Sequence, residues 1–567
     1  MLYTAFRFLL WMWAAARYFA GTFGDVIIRR DSVGRRARRL RGILEGLGPT
    51  FIKVGQQLSV RADMLPYEFC RELSSMLECV PPMPGATAIE IIERSLGATV
   101  EEVFASFQPE PIGSGSLACV YKAQLPSGQW VAVKVRRPDV ARKLAGDVRA
   151  LSGILLLAEW LSLFKSGFTA NLRTEFARML MEETDFIREA RNTENFGNEA
   201  RRTKQHQVTA PRIHRALCTA DIIVTDLVIG TFMSDIVRAI DRGDTSFLEQ
   251  LRAQGIDLKT VARNLMRTAH WELLESILFH ADPHPANICV QPGNVIVFID
   301  FGSCGRLTGN YRRIWQRFYL SLGKNNVQAM VDAAVAILEP LPHLDVDAFR
   351  REVELMLWDW VYAMNSDHAE WWEKSSGTVW MKFADIARRY HVYLSAEIVR
   401  IFRATFIFDT TIFQLSNSVN MRTDFKRYQR EAGRRARRRV RRKLWRRLEH
   451  GLKYTDYLAI EDTLRMGRQA LFRVQHLLDT PDPVFGREIG KLAFTVTMML
   501  RLGASALGVY LIGMVAVNGY EWATHNSVDV TGTLSSLVNQ TSVKVIGGLA
   551  VLVLLRKTVM KLREHDK

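Results

Sequence analysis

The sequence predicts an α+β fold in which a small β-rich lobe is followed by a larger helical lobe. Residues 110–138 contain two β-rich runs around the turn "PSGQ", a pattern that is typical of a hairpin. Residues 245–480 are mostly helical in periodicity, and one short β-like piece, "NICVQPGNVIVFIDFG", interrupts them. A chain of 567 residues is long enough for two or three such units.

The composition indicates a folded, basic protein. Hydrophobic residues make up 48% of the chain and charged residues 24%, which argues against disorder. The net charge of +17 is unevenly spread, since ten of the fourteen residues in "RRARRRVRRKLWRR" (434–447) are basic and none is acidic. This run suits anionic phospholipid head groups, with about 1 kcal/mol for each cation near the surface. Nucleic acid and a solvated helix face remain as alternatives.

The first segment, residues 1–46, is apolar and then basic. Arg7 and Arg17 leave only a short uncharged run between them, and no cleavage site for a signal peptide is evident. We therefore expect an interfacial anchor helix rather than a spanning one. Its aromatic residues Trp11, Trp13, Tyr18 and Phe19 would then lie near the lipid head groups.

The last segment, residues 491–567, predicts a transmembrane hairpin. Residues 502–517 carry no charge, and the second apolar run, about 534–555, contains Lys544. Both flanks of the hairpin are basic, so the positive-inside rule places both ends in the cytoplasm. A buried helical hairpin is the alternative.

The six cysteines predict free thiols in a reducing compartment. They form no C-x-x-C pair and have no histidine partner at zinc spacing.

Lys134 lies in the middle of the β-branched run "VAVKV", where an ammonium is costly unless it meets an anion. Upstream, "GSGSLACV" supplies a glycine-rich turn that lets backbone N–H groups approach phosphate oxygens. Each signal alone is weak, and the simpler interpretation of Lys134 is a lysine whose ammonium reaches water. Together, a glycine-rich hairpin and a lysine on the next strand match the way a protein-kinase-like small lobe holds ATP phosphates.

Two further motifs extend this pattern. In "FHADPHPANICV", Asp282 and Asn287 have the spacing of the kinase catalytic-loop Asp and Asn, and Asp300 opens a D-F-G tripeptide. Mg²⁺ prefers such carboxylate and amide oxygens, so Asn287 and Asp300 would be its ligands and Asp282 would orient or deprotonate a nucleophile. A capped turn at Asp282 and a chance D-F-G are the plain alternatives, but the ordered set makes joint chance small.

A buried Lys134 needs a carboxylate from a helix, and "MEETDFIREARN" (181–192) offers Glu183, Asp185 and Glu189. At helical spacing Asp185 and Glu189 share a face, whereas Glu183 points elsewhere. For this helix alone a solvated acidic face is the simpler interpretation.

These motifs together identify a family that the chain resembles, the UbiB/AarF (ABC1/ADCK) atypical kinases. The matching pieces are "LGPTFIKVGQQLSVRADMLP", "GSGSLACVYKA", "VAVK", "EETDFIREARN", "FHADPHPANI" and "IDFG", which span about residues 40–320. The resemblance implies a protein-kinase-like two-lobe fold with an N-terminal helical extension over the active site and a C-terminal hydrophobic helical membrane anchor.

The resemblance also implies roles by position. Lys134 would pair with Glu189 and contact the nucleotide phosphates, which the loop Gly113, Ser114, Gly115 and Ser116 would cover. Lys53 and Gln56 would belong to the extension, with Glu183 and Asp185 beneath it. The extension would occupy the space where a protein kinase takes its peptide. Two departures concern nucleotide preference and the catalytic loop: glycines and Ser114 stand where the family loop has alanines, and Ala286 replaces the Gly of H-P-G-N.

The implied domains are the 1–46 segment, a 47–106 extension, a 107–235 small lobe with inserted helices, a 236–425 large lobe, a 426–490 basic region and the 491–567 tail. The implied function is a membrane-associated, Mg²⁺-dependent ATPase that supports ubiquinone biosynthesis or lipid-precursor handling at the cytoplasmic face of the inner membrane. A phosphotransferase and a pseudokinase scaffold are the alternatives. Expected partners are ATP, Mg²⁺, anionic lipids, quinone precursors and quinone-biosynthesis enzymes, without nucleic acid; a homodimer is left open.

Read alone, Lys53 in "FIKVGQQLSV" is a lysine whose charge reaches water from a mediocre helix. With a nucleotide site downstream and carboxylates at Glu183 and Asp185, we expect Lys53 and Gln56 to face inward instead. Gly55 would permit close approach of this helix to the lobes.

Overall fold

The computed structural model describes most of the chain up to residue 450. The exceptions are residues 1, 47–48, 60–64, 75, 77–80, 161–172, 175–176, 179–180, 308, 339–340, 343, 367, 393, 417 and 420, and beyond 450 only residues 454, 457 and 461 are described. The chain divides into two compact units, residues 1–155 with 170–433, and residues 156–169 with 434–567. The predicted 491–567 hairpin lies outside the described residues.

Four helices form the N-terminal region: α1 (Leu2–Ile27), α2 (Val33–Gly46), α3 (Pro49–Leu58) and α4 (Tyr67–Ser74). Leu44, Phe51 and Leu73 are buried together between α2, α3 and α4, because each helix presents an apolar face at helical spacing. The Trp11 ring of α1 lies 4.2 Å from the Phe51 ring. Trp11, predicted to lie near lipid head groups, is thus packed against α3.

None of the helices that could be traced through the described residues has both the length and the apolar character needed to cross a membrane.

The small lobe is built on an antiparallel sheet of order β1-β2-β3-β5. The elements from residue 85 to residue 226 are α5 (Gly85–Leu96), α6 (Val100–Val103), β1 (Ser106–Ser114), β2 (Ala118–Gln124), β3 (Trp130–Arg136), α7 (Val140–Trp160), α8 (Phe186–Thr203), β4 (Val208–Thr209) and β5 (Ile222–Asp226). Side chains alternate along β3, so Val131, Val133 and Val135 are buried on one face. Ile91 and Ile92 of α5 belong to the same core. The stretch 85–103 therefore packs with this sheet.

The large lobe contains most of the helices. The elements from residue 231 to residue 450 are β6 (Thr231–Phe232), α9 (Met233–Arg242), α10 (Thr245–Ala253), α11 (Leu258–Leu274), β7 (Leu278–His280), β8 (Ile288–Gln291), β9 (Val295–Phe298), β10 (Cys304–Arg306), α12 (Gly309–Gly323), α13 (Val327–Ala336), α14 (Val346–Asn365), α15 (Trp371–Lys374), α16 (Ser376–Arg389), α17 (Ala396–Leu415) and α18 (Met421–His450). A sheet of order β4-β9-β8-β6 and the pair β10-β7 line its edge.

The core of this lobe is aromatic. Trp271, Trp315 and Trp380 are fully buried in it, and the rings of Trp315 and Trp380 lie 4.7 Å apart, edge to face. The helix α17 packs along α11, which brings one turn of α17 close to the loop between β7 and β8. The predicted arrangement, a small β-rich lobe followed by a helical lobe, is thus present.

Candidate functional site

Lys134 lies on the face of β3 that is opposite the buried valines. It pairs in register with Val120 of β2 and Ile223 of β5, so its position in the sheet is fixed from both sides. Because side chains alternate along a strand, the same pattern that buries Val133 and Val135 points Lys134 away from the small-lobe core. Its side chain remains 22% exposed.

Two carboxylates meet the Lys134 ammonium. Its Nζ donates to Glu189 Oε1 at 2.6 Å and to Asp300 Oδ2 at 3.1 Å. Glu189 lies in the first turn of α8 and is nearly fully buried, while Asp300 follows β9 and is 39% exposed. Residues separated by 166 positions along the chain, Lys134 and Asp300, are thereby joined at one ammonium.

Burial and charge act in opposite directions on these three groups. Burial favours the neutral form of Lys134, but the carboxylates of Asp300 and Glu189 more than offset this and raise the pKa of Lys134. Burial also favours neutral Asp300, yet the Lys134 ammonium and the Gly302 N–H hold its pKa below the ordinary value. For Glu189 burial prevails, and its pKa is raised despite Lys134. The site therefore holds one cation and two carboxylates of unequal basicity.

The segment after Asp300 is held in place by its neighbours. Asp300 Oδ1 accepts the Gly302 N–H at 3.0 Å, and Asn192 of α8 donates to the Phe301 carbonyl at 3.3 Å. A Cβ on Gly302 would lie 3.4 Å from Asp300 Oδ1 and 3.7 Å from Glu189 Oε2. A Cβ at 302 would therefore be in ordinary van der Waals contact with the two carboxylates that meet Lys134.

The loop between β7 and β8 carries Asp282 and Asn287. The buried His280 binds the carbonyl of Asp300 through Nε2 and accepts the Asp282 N–H on Nδ1 at 3.2 Å. The Asn287 side-chain amide donates to the Asp282 carbonyl at 3.3 Å. Buried Glu272 of α11 accepts the His280 N–H at 2.8 Å. The predicted pair and Asp300 are thus held by one hydrogen-bond network that His280 connects.

Burial lowers the pKa of His280, at the end of β7, and of His284 in the loop. Asp300 and then Asp282 partly offset this for His280, and Asp282 does so for His284. A neutral imidazole can donate on one nitrogen and accept on the other, which is the pattern His280 requires. The contact with the Asp300 carbonyl gives His280 a specific role, which is to join the Asp282 loop to Asp300.

Arg403 was missed by the sequence analysis. It comes from α17, and its guanidinium donates to Asp282 Oδ1 at 2.9 Å. Both side chains are largely buried, with 17% and 23% exposed. The helix pattern of α17 is apolar with isolated arginines, and only a requirement to pair a buried Asp282 could have drawn attention to one of them.

The glycine-rich loop joins β1 to β2 in an ordinary backbone conformation. Neither Gly113 nor Gly115 has a positive φ. A Cβ at Gly113 would lie 3.8 Å from Val120, and one at Gly115 would lie 3.6 Å from the Ala118 carbonyl oxygen. These are normal contacts, so this loop geometry accepts the alanines that the resembled family carries.

One guanidinium ties this loop to the chain before α5. Arg137 donates to the Gly115 carbonyl at 2.9 Å, to Ser114 Oγ at 2.9 Å and to the Pro81 carbonyl at 2.6 Å. Ser116 is buried nearby. Arg137 was not among the predicted site residues, although it directly follows the strand of Lys134.

The carboxylates predicted beneath the extension lie at the start of α8. Asp185 is the N-cap of α8, which begins at Phe186, and its carboxylate accepts the Arg188 N–H at 2.9 Å. Glu183 is half-buried just before this cap. Lys53 and Gln56 lie on α3, but their side chains are outside the described part of the structure.

The donors fit a hard cation that shares its coordination with phosphate and water. Asn287 and Asp300 supply an amide and a carboxylate oxygen on adjacent segments, since the Ile299 N–H donates to the Asn287 carbonyl at 3.0 Å. Within the described residues no group of three or more His, Cys, Asp or Glu side chains is placed to hold a metal. Mg²⁺ bound through one or two protein ligands together with substrate phosphates needs no such group.

Comparison with known proteins finds a kinase-like domain in the part of the chain that holds this site. Residues 75–334 match the family model described as the ABC1 atypical kinase-like domain. The chain is 34% identical over 328 residues to Protein ACTIVITY OF BC1 COMPLEX KINASE 8, chloroplastic, of Arabidopsis thaliana, covering 56% of this chain and 40% of that protein. It is 31% identical over 325 residues to an uncharacterised Synechocystis protein, covering 57% of this chain and 53% of the relative.

A third relative is named "Probable protein kinase UbiB", from Pseudomonas paraeruginosa. It is 29% identical over 381 residues, covering 65% of this chain and 67% of the relative. The first curated relatives are matched over about half of their own length or less. The matched region contains the Lys134 strand, α8, the Asp282 loop and Asp300.

Proposed function

Because this chain carries an ABC1 atypical kinase-like domain and so belongs to the ABC1 family, we propose that it is a membrane-associated, Mg²⁺-dependent ATPase that supports isoprenoid-quinone biosynthesis. The observation that carries the proposal is the contact of Lys134 with both Glu189 and Asp300. A lysine held by a helix carboxylate, beside an aspartate suited to a metal ion, is the arrangement that kinase-like enzymes use for nucleotide phosphates.

Each group has a definite task in this proposal. Lys134, kept charged by its carboxylates, would contact the phosphates, and Glu189 would hold it in place. Asn287 and Asp300 would hold Mg²⁺, which when bound neutralises charge on the phosphate oxygens. Asp282 would orient the attacking group, and the loop 113–116 would cover the phosphates with its backbone N–H groups.

Hydrolysis is preferred over transfer to a peptide because of the segment after Asp300. This segment pairs as β10 with β7, Cys304 opposite His280, and α12 already begins at Gly309. In a protein kinase the longer activation segment at this position helps to bind the peptide. The short, strand-paired segment supports water or a small molecule as the acceptor.

Membrane association is part of the proposal and has support in α1. Phe6, Leu9, Trp13, Phe23 and Ile27 are each more than half exposed, and their spacing of three, four or ten residues places them along one face of the helix. An exposed apolar helix face suits insertion into the head-group region of a bilayer. Exposed arginines follow at 29, 30 and 38, and a further exposed set lies in α18 at 437–439 and 441–442.

The proposed location is the cytoplasmic face of the inner membrane, with the 491–567 hairpin as an additional anchor. The proposed lipid partners are anionic phospholipids and quinone precursors. The exposed cations support the first of these through charge, and the second rests on the resemblance to the UbiB/AarF family alone.

The test is the ATPase activity of the purified full chain with Mg²⁺, with and without liposomes that contain anionic phospholipid and a quinone-precursor mimic. A transfer assay with radiolabelled ATP runs alongside it. We expect phosphate release that depends on Mg²⁺ and increases with the liposomes. Transfer of label to a defined acceptor would replace hydrolysis by phosphotransfer, and nucleotide binding without turnover would favour a scaffold.

A further inference from the structure

The helix α17 places two arginines, one turn apart, against the candidate site. Arg400 and Arg403 are only 12% and 17% exposed, although arginine is rarely buried without a partner. Since α17 packs along α11 in the large-lobe core, these side chains leave an apolar helix and reach polar groups of the site. Neither arginine belongs to the set of roles proposed above.

Arg403 fixes the carboxylate of Asp282. Its N–H group donates to Asp282 Oδ1 at 2.9 Å, while the Asp282 backbone is held separately, by the Asn287 amide on its carbonyl and by His280 on its N–H. The loop therefore holds the Asp282 backbone, and Arg403 of α17 holds one oxygen of its carboxylate.

Arg400 acts on the neighbouring segment. It donates to Glu182 at 2.8 Å and lies 3.5 Å from the Cys304 carbonyl oxygen. Arg188 of α8 shares both partners, at 2.9 Å from Glu182 and 3.4 Å from the Cys304 carbonyl oxygen. One turn of α17 thus contacts the Asp282 loop through Arg403 and the segment after Asp300 through Arg400.

Stability alone is a weak reason for the Arg403–Asp282 pair. Taking two charges out of water costs several kcal/mol for each ion, and well-packed apolar residues at such positions are often at least as stabilising. One member of the pair, Asp282, is also the group that would face the reacting phosphate. A function in orienting Asp282 explains both the burial and the place of the pair.

We propose that Arg403 is a positioning residue, which aims the Asp282 carboxylate at the attacking water and acts through Asp282 alone. The inference rests on the proposed ATPase function. In that reaction the water oxygen forms a bond to the γ-phosphorus, and the bond from this phosphorus to the β,γ-bridging oxygen breaks. ADP leaves, and the proton of the water passes to Asp282 or to the released phosphate. Arg403 contributes by holding Asp282 within reach of that water.

The experiment compares Arg403→Ala, Arg403→Lys, Asp282→Asn and the double variant Arg403→Ala/Asp282→Asn in the full chain with Mg²⁺ and ATP. The matched control is Arg350→Ala, which removes an arginine paired with Asp332 on the half-exposed surface of the same lobe. Binding of a fluorescent ATP analogue, kcat and the thermal unfolding midpoint are measured for each variant. Arg350→Ala is expected to keep the wild-type kcat.

We expect Arg403→Ala to lower kcat about 10- to 100-fold, the effect of a misplaced reacting group, while the affinity for the analogue stays unchanged. Arg403→Lys recovers part of kcat, since it restores the charge but not the planar fork. In the Asp282→Asn background, removal of Arg403 causes no further loss. This last result separates positioning from a general loss of structure, which would lower kcat in both backgrounds.

The two proposals fail in different ways. Absence of turnover in the wild-type chain, with nucleotide still bound, would overturn the ATPase function. Wild-type turnover that Arg403→Ala leaves intact would overturn the positioning role, and so would losses that multiply in the double variant. If Arg403→Ala does not fold, Arg403→Lys in the two backgrounds decides the question by the same comparison.

Discussion

Replacing Lys134 by methionine is expected to destabilise the protein because it leaves two carboxylates without their shared cation. Methionine has a similar length and fills the same space, so the change removes charge with little loss of packing. In the native chain both Glu189 and Asp300 lie within 3.1 Å of the Lys134 nitrogen. Without that nitrogen, the buried Glu189 has lost its nearest cation and faces a second carboxylate.

The expected cost is about 3 kcal/mol in the free energy of unfolding. Removing one partner of a buried ion pair costs about 3–5 kcal/mol. The lower end applies because Lys134 is 22% exposed and Asp300 is 39% exposed, so water screens part of the charge. Glu189, only 5% exposed, accounts for most of the cost.

The cost depends on pH in a direction that the structure fixes. The folded pKa of Glu189 is already raised by burial above the ordinary value of 4.5, and removal of Lys134 raises it further. A group with a raised folded pKa supports the fold below its unfolded pKa and loses that support as the pH rises through the folded value. The Lys134→Met deficit is therefore expected to be smallest near pH 4.5 and to grow toward pH 8.

Urea unfolding followed by circular dichroism, at several pH values, measures this. The double variant Lys134→Met/Glu189→Gln should recover most of the stability, because it removes the buried charge that the lysine neutralised. Lys122→Met is the matched control: this lysine lies on β2, 4.2 Å from the Trp130 ring, and its loss should cost no more than about 1 kcal/mol. A Lys134→Met chain as stable as the wild type at pH 8 would refute the reasoning.

Four further outcomes follow from the site and its surroundings. Asp300→Asn should fold, since an amide oxygen can still accept the Gly302 N–H, but lose Mg²⁺-dependent ATP binding in calorimetry; unchanged ATPase would rule out the metal role. Gly113→Ala and Gly115→Ala should change the thermal unfolding midpoint little, because no positive φ or close contact opposes a Cβ. Gly305→Ala should unfold the lobe, because its Cβ would lie 2.1 Å from the Phe279 ring. Equal unfolding midpoints for the three variants would contradict this expectation. Burial lowers the pKa of His270 from 6.5 to about 4, so the free energy of unfolding should fall by up to about 3 kcal/mol as the pH falls from 6.5 to 4. His270→Phe should lose this acid sensitivity in urea titrations. An unchanged dependence of stability on pH in this variant would count against the assignment. Truncation before Lys491 should weaken membrane attachment in flotation assays, and a truncated chain that stays bound in high salt would show that the hairpin is not the anchor.

The sequence predicted the parts of the site that depend on local spacing. Alternation in "VAVKV" is sufficient to place Lys134 opposite the buried valines, because side chains on a strand alternate between faces. The five-residue separation of Asp282 and Asn287 likewise fits within one short loop. Local rules of this kind need no knowledge of the rest of the chain.

Contacts between distant segments could not be predicted in this way. Arg403 lies 121 positions after Asp282, on a helix whose pattern indicates only that it packs in a core. The capping role of Asp185 was not predicted for a different reason: periodicity continues smoothly through it, whereas the helix starts one residue later, where its carboxylate caps the backbone. Helix ends depend on hydrogen bonds of single side chains, which periodicity does not reveal.

Arg137 has a consequence for how motion passes through the small lobe. Its guanidinium donates hydrogen bonds both to the Pro81 carbonyl, before α5, and to Ser114 Oγ and the Gly115 carbonyl in the glycine-rich loop. A shift of the chain at Pro81 would therefore act on the loop through Arg137, and on the valine core through Met83, which is buried in the same cluster. The N-terminal helices enter the small lobe through the same stretch of chain. The chain before α5 and the loop proposed to cover a nucleotide are thus joined through the Arg137 side chain.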